Sequence, residues 1–259
     1  MRKTQFIVLT GSLLLAYACK DVKSSENSNA AQEQNQEMKE QTEVATLTSQ
    51  LEARKTDFNS KADENIKRIF KDGLDAVAES GVVESAKNVG DMAPEFTLKN
   101  ALGNDVSLKE YLAKGPVVLI WYRGGWCPYC NLTLHAMQEE LPNFTAAGAS
   151  LIALTPELPD QSISTAEKHE LEFEVLSDVG NKVAREYGVV FKLIDDVAKI
   201  YNEKFDLNGY NGDDSNELPL AATYIINTDG KIEYAFLDAD YRKRAEPSEI
   251  TEFIKTMKE

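Results

Sequence analysis

The sequence predicts an α/β fold: a central sheet flanked by helices, with a helical extension ahead of it. Three observations lead there. From residue 91 onward, apolar runs of strand length alternate with segments of helical periodicity. Residues 222–236 read as a β-hairpin turning at Thr228-Asp229-Gly230. Before them, Val44, Leu47, Leu51, Phe58, Ala62, Ile66, Ile69, Phe70, Leu74 and Val77 recur mostly three, four or seven apart, which is one face of a helix.

Taken in order, residues 1–18 have the flanks of a signal peptide. Arg2 and Lys3 are followed by an apolar stretch at 6–18, shorter than the roughly 20 residues a membrane-spanning helix needs. Leu15-Ala16-Tyr17-Ala18-Cys19 resembles a bacterial lipobox, which implies that Cys19 carries a lipid and that the protein works outside the cytoplasm, anchored by that lipid at a periplasmic face or outer membrane. The alternative is an ordinary secretory signal with Cys19 incidental. Residues 19–43 are rich in Ser, Asn, Gln and Glu and almost free of apolar side chains, so they cannot offset their ordering entropy and read as a disordered tether. Residues 44–89 form the helical extension, with Gly73 as a candidate interruption and Gly81 as its stop. Its stripe is not a sustained heptad, so packing on the following domain is favoured over a helix that makes a homodimer.

Residues 90–259 form the α/β domain. A short strand opens near residues 91–98 and a helical turn follows at 106–112. The apolar run 117–122 suits a strand buried on both faces. A helix is predicted over 128–147, a strand over 150–155, helices over 164–172 and 181–187 around a strand at 173–176, the hairpin, and a closing helix at 247–258.

Composition removes several function classes. The 259 residues include only three cysteines, too few for a disulfide scaffold. Lys plus Arg is 28 against 43 for Asp plus Glu, a net charge of −15 with no basic patch, which excludes a nucleic-acid partner. No phosphate-cradling glycine loop is present, and no cofactor is implied.

The chemistry lies in Tyr122-Arg123-Gly124-Gly125-Trp126-Cys127-Pro128-Tyr129-Cys130, where a buried strand passes into a helix. Pro128 suits the first helical position, making Cys127 the N-cap residue with its sulfur near unpaired amides and the positive end of the helix dipole. Both favour thiolate over thiol, and Arg123 adds to this if it turns toward the sulfur. Cys130 lies on the same helical face, one turn deeper. Cys127 is therefore the expected nucleophile and Cys130 the partner that closes a disulfide. A structural disulfide here would close too small a loop to stabilise much. Zinc would need two more ligands, and only His135 and His169 remain beside Cys19. A Cys–His pair is disfavoured by the eight-residue gap to His135, and plain core cysteines are the remaining option.

Other candidates read as structural. Asp206, Asn208 and Glu217 resemble part of a calcium loop, but Tyr210 and Asn211 occupy ligand and glycine positions, so a solvated acidic loop is expected. Asp238, Asp240 and Arg242-Lys243-Arg244 read as a charged surface turn, and the two histidines as surface or packing residues.

Ala93-Pro94-Glu95-Phe96-Thr97-Leu98, Gly103-Asn104-Asp105-Val106-Ser107-Leu108, the strand-plus-cysteine turn and residues 224–232 together resemble the alkyl hydroperoxide reductase/thiol-specific antioxidant branch of the thioredoxin superfamily. The segments 121–130, 218–224 and 240–247 are similar to a peroxiredoxin-like subgroup with a Cys-x-x-Cys pair at the peroxidatic position. The resemblance implies a thioredoxin-like fold with a mixed sheet and a peroxidatic Cys127. The chain departs from the family pattern at Gly124 and Ile120, where a Thr and a Pro are usual, and at Ala221, where an Arg is usual. Cys-Pro-Tyr-Cys is also the active sequence of glutaredoxins, and Pro219 is the candidate for the cis-proline that thioredoxins place opposite their cysteine.

Two activities follow as expectations. In one, Cys127 attacks hydrogen peroxide or an organic hydroperoxide, Cys130 resolves the sulfenic acid, Arg123 supports the departing oxygen, and a thioredoxin-like dithiol reduces the pair. In the other, the same cysteines exchange protein disulfides. A third reading, a lipoprotein that only binds partners, leaves both cysteines without a role.

Overall fold

The computed structural model describes residues 45–100 and 102–257. The expected signal peptide, the lipid attachment at Cys19 and the tether at 19–43 lie outside the described residues.

The helical extension is two main helices rather than one, α1 (Leu47–Lys61) and α2 (Glu64–Glu79). The break falls at Ala62, which is extended at φ −73° and ψ 142°, and at Asp63, whose carboxylate accepts the Ile66 N–H at 2.9 Å and starts a new helix. Apolar spacing runs through this point unbroken, so periodicity could not reveal it. Gly73 stays inside α2. A Cβ there would lie 2.8 Å from Val197 Cγ2, so the missing side chain lets α2 approach α8 (Asp195–Phe205) closely. Gly81, at φ +76°, does end α2, and the single turn α3 (Val82–Ser85) follows.

A small antiparallel pair, β1 (Thr97–Lys99) and β2 (Asp105–Ser107), leads into α4 (Leu108–Leu112). The main sheet has five strands in the order β5-β4-β3-β8-β9. Strands β3 (Val117–Trp121), β4 (Ser150–Thr155) and β5 (Glu174–Ser177) are parallel neighbours, while β8 (Thr223–Ile226) and β9 (Ile232–Phe236) are the antiparallel hairpin. The central register places Leu119 between Ile152 and Tyr224. Every residue of β3 is buried, as its apolar run requires. Alternate side chains of that strand join different cores: Val117, Leu119 and Trp121 on one face, Val118 and Ile120 on the other.

Helices cover both faces. On the second face lie α5 (Pro128–Ala146) and α10 (Pro247–Thr256), packed on one another. The first face is filled by α2, by α7 (Lys182–Glu186) and by α8. Helix α6 (Pro159–Lys168) begins five residues before its expected start, at a proline in the first helical turn, and stops before residue 172. The remaining elements, β6 (Val190–Lys192), α9 (Leu207–Asn211) and β7 (Glu217–Pro219), were not expected from sequence, nor was α8. Strands β6 and β7 pair antiparallel.

The stripe of the extension packs on its own chain. Leu47 and Leu51 enter the core beneath α5, and Ile69 and Val77 enter the other. One carboxylate fastens this arrangement. Glu246 accepts the Leu47 N–H at 3.0 Å and the Thr48 N–H at 2.9 Å, so a residue 199 positions away satisfies the free amides at the start of α1. An anionic acceptor at a helix N-terminus contributes about 1–2 kcal/mol.

Candidate active site

Strand β3 delivers its C-terminal end to a tight turn. Gly124 adopts φ +149°, open to glycine and strained for other residues, and the Cys127 N–H donates to the Gly124 carbonyl at 3.0 Å. Glu157, fully buried just beyond β4, accepts the Gly125 N–H at 2.8 Å and fixes the turn to the neighbouring strand. Burial raises the Glu157 carboxyl pKa against the lowering effect of that N–H. Asn131 Nδ2 donates to the Gly125 carbonyl at 3.0 Å. Cys127 then caps α5, with Pro128 in the first helical turn.

Glycine at position 124 has a local cause. A Cβ there would lie 2.2 Å from Trp126 Nε1, so the indole occupies the space that the Thr usual at this position would need. The family difference at this residue and the presence of Trp126 are one feature.

The structure brings Cys127, Cys130 and Arg123 together. Both cysteines are free thiols, and Cys127 is only 1% exposed. Arg123 Nη1 lies 3.9 Å from Cys127 Sγ, and its Nη2 donates to the Tyr201 hydroxyl at 2.8 Å. The guanidinium sits 3.9 Å from the Tyr241 ring centre. Although burial disfavours its charge, the facing Tyr201 and Cys127 groups hold the Arg123 pKa above the ordinary value. The Arg123 N–H also points at Cys130 Sγ, 3.4 Å away.

Burial works against the Cys127 thiolate but is outweighed. A hydrogen bond from the Cys130 thiol and the charges of Arg123 and Arg244 lower its pKa to about 5. Burial and the neighbouring thiolate push Cys130 the other way, well above the usual range. At neutral pH the pair is therefore one thiolate at the helix start and one thiol behind it.

Arg244 corrects the expectation of a charged surface turn. Arg242 and Lys243 do pair with Asp240 and Asp238, at 2.7 and 2.9 Å. Arg244 is buried, and its Nη2 lies 3.7 Å from Cys130 Sγ. The two aspartates of the turn take Arg242 and Lys243, while Arg244 donates through Nη1 to the Lys243 carbonyl at 2.8 Å. Pro219 lies in β7 opposite Val190, and no cis peptide bond occurs among the described residues. Asp206 caps α9 through the Gly209 N–H at 3.3 Å, and Glu217 pairs with Arg185. His135 is exposed beside Glu139 at 3.5 Å; His169 is partly buried at the end of α6, with its pKa lowered by that burial.

A cleft of about 120 Å³ reaches Cys127, walled by Trp126, Tyr129, Tyr201 and Tyr241 together with Arg54 and Phe58 of α1. Arg123 Nε and Trp126 Nε1 are buried donors without a protein partner among the described residues. A larger cavity of about 380 Å³, beside α6 and β5, holds no cysteine.

The profile of the AhpC/TSA family matches residues 89–235, a span that includes the turn, both cysteines and the whole main sheet up to Ala235. The chain belongs to the AhpC/TSA family. Similar proteins include the chloroplastic peroxiredoxin Q of Gentiana triflora, 35% identical over 120 residues, or 46% of this chain and 55% of that one. The chloroplastic peroxiredoxin Q of Triticum aestivum is 31% identical over 159 residues, or 61% and 63%. The match thus spans less than two-thirds of either relative. The thiol-disulfide oxidoreductase ResA of Bacillus thuringiensis is 29% identical over 150 residues, covering 58% of this chain and 69% of that one. Among solved structures, peroxidoxin BcpB of Mycobacterium tuberculosis superposes with a TM-score of 0.51 at 20% identity, covering 66% of this chain and 97% of that one. The reduced 2-Cys peroxiredoxin of Plasmodium vivax gives 0.52 at 17%, covering 66% and 82%. The likeness to these AhpC/TSA-type structures is one of fold, the thioredoxin fold with a central mixed sheet flanked by helices. The family match leaves out α1, α2 and Arg244.

Proposed function

We propose that the protein is a thiol-dependent peroxidase in which Cys127 is the peroxidatic cysteine and Cys130 the resolving one. The observation that carries this reading is the Arg123 guanidinium, buried 3.9 Å from Cys127 Sγ beside a cleft that reaches that sulfur. The Cys127 thiolate attacks one peroxide oxygen. An S–O bond forms, the O–O bond breaks, and the departing alkoxide or hydroxide takes a proton from water. The Arg123 guanidinium, already in place beside the sulfur, stabilises the developing charge on that oxygen without reorganising. The Cys130 thiol then displaces water from the sulfenic acid, leaving a Cys127–Cys130 disulfide. A thioredoxin-like dithiol returns both thiols and is itself oxidised.

A second reading has its own support. The same low- and high-pKa pair suits disulfide exchange, and the likeness to ResA agrees with it. Consumption of hydrogen peroxide with excess dithiol, set beside reduction of insulin disulfides, separates the two. Peroxide turnover abolished in Cys127→Ser is the expected result. Insulin reduction with no peroxide consumption above the Cys127→Ser background would assign the protein to disulfide exchange instead.

The segment before Ala45 supports an extracytoplasmic, lipid-anchored location, through the charged start, the short apolar stretch and Cys19. Labelled palmitate should enter the full chain in a bacterial host and be lost in Cys19→Ser; labelling that survives the substitution removes the anchor.

A further inference from the structure

The helical extension is part of the wall around the cysteines. Phe58 of α1 and Phe70 of α2 line the cleft that reaches Cys127. The two rings meet edge-on with centroids 5.6 Å apart. Phe70 in turn tilts against Tyr201 at 5.9 Å, Tyr201 against Trp126 at 5.0 Å, and Trp126 stacks on Phe205 at 5.5 Å. The rings run without a gap from the extension to the residue preceding the nucleophile. Phe58, Phe70, Trp126 and Phe205 are only half-buried, so this apolar surface is not used up by the fold. Beyond Phe70 the lining continues into a second cavity of about 20 Å³ with Leu74 and Val77 of the same helix.

Hydrogen peroxide has no carbon to bury and gains nothing from such a wall. A hydroperoxide with a compact apolar group gains contact area with each ring while its O–O bond reaches the sulfur. Resting on the peroxidase reading, we infer that α1 and α2 form the substrate-selecting side of the active site, with Phe58 and Phe70 holding the branched or aromatic body of an organic hydroperoxide at Cys127. Both helices precede the residues matched by the AhpC/TSA family, so this selectivity belongs to the extension.

The test compares kcat/KM for cumene hydroperoxide and for hydrogen peroxide, using the full chain with excess dithiol. In Phe58→Ala the ratio of cumene hydroperoxide to hydrogen peroxide should fall about tenfold or more, mainly through KM. Phe58→Leu, which keeps most of the apolar volume and a good helix former, should recover much of it. Glu52→Ala, an exposed change on the same helix away from the cleft, should leave the ratio as it was. Circular dichroism establishes that α1 remains folded in each variant. An unchanged ratio in Phe58→Ala overturns the assignment while leaving the peroxidase intact. Failure of the unmodified chain to consume either hydroperoxide removes the peroxidase reading, and the selectivity with it.

Discussion

Replacing Arg123 with Met should slow peroxide reduction by about 10²–10³-fold, the loss typical of removing one donor from a site that stabilises a departing oxyanion. It should also move Cys127 reactivity along the pH axis. Burial alone would hold Cys127 as a thiol; the Cys130 hydrogen bond and the Arg123 and Arg244 charges bring its pKa to about 5. Without the Arg123 charge the midpoint of iodoacetamide alkylation against pH shifts upward, toward the ordinary thiol value. The sign for stability follows from the same shift. A pKa lowered on folding contributes stability that is complete above the unfolded thiol value and is lost as pH falls through the folded one. The stability gap between the reduced protein and Cys127→Ser should therefore shrink from about pH 9 down to pH 5, and shrink less in the Arg123→Met background. An alkylation midpoint still near 5 in Arg123→Met would show that Arg244 and Cys130 set the thiolate by themselves.

Cys130→Ser should separate the two halves of the cycle. The serine hydroxyl still donates a hydrogen bond toward Cys127 and leaves both guanidinium groups in place, so the first attack on peroxide survives. The sulfenic acid then has no neighbouring thiol to condense with. Turnover with a thioredoxin-type dithiol should fall on the order of 10²-fold or more, since an intramolecular step is replaced by a bimolecular one. Dimedone labelling followed by peptide mass spectrometry should place the adduct on Cys127 in this variant, with little in the parent. Undiminished turnover without an adduct would take the resolving role from Cys130.

How much of this was legible in the sequence depended on how local each cause is. Strands β3 and β4, helix α5 and the β8–β9 hairpin announced themselves through apolar runs, a proline in the first helical turn and an Asp-Gly turn. The break at Ala62–Asp63 carries only a capping carboxylate, and periodicity continues across it. Strands β6 and β7 are three residues each, too short for alternation to register, and each exists because the other lies opposite. The site divides in the same way. Cys127, Cys130 and Arg123 sit within seven positions of one another and could be read together. Glu157 reaches the Gly125 N–H from beyond a neighbouring strand, and Arg244 reaches Cys130 from 114 positions away. Phe58 was visible only as a helix-stripe residue; its ring becomes part of the cleft because α1 docks on α5.

The clasp between Glu246 and the start of α1 sets an order of assembly. A chain emerging N-terminus first, from the ribosome or across a membrane, presents Leu47 and Thr48 nearly two hundred residues ahead of their acceptor. During that interval α1 has only its intrinsic helix propensity to hold it, and an isolated helix of this length is marginal in water. The sheet and the turn bearing Cys127 can form meanwhile, so the growing protein passes through a stage with its reactive sulfur made and its aromatic wall unfastened. The narrow cleft is therefore the last part of the site to be fixed, its completion waiting on residue 246.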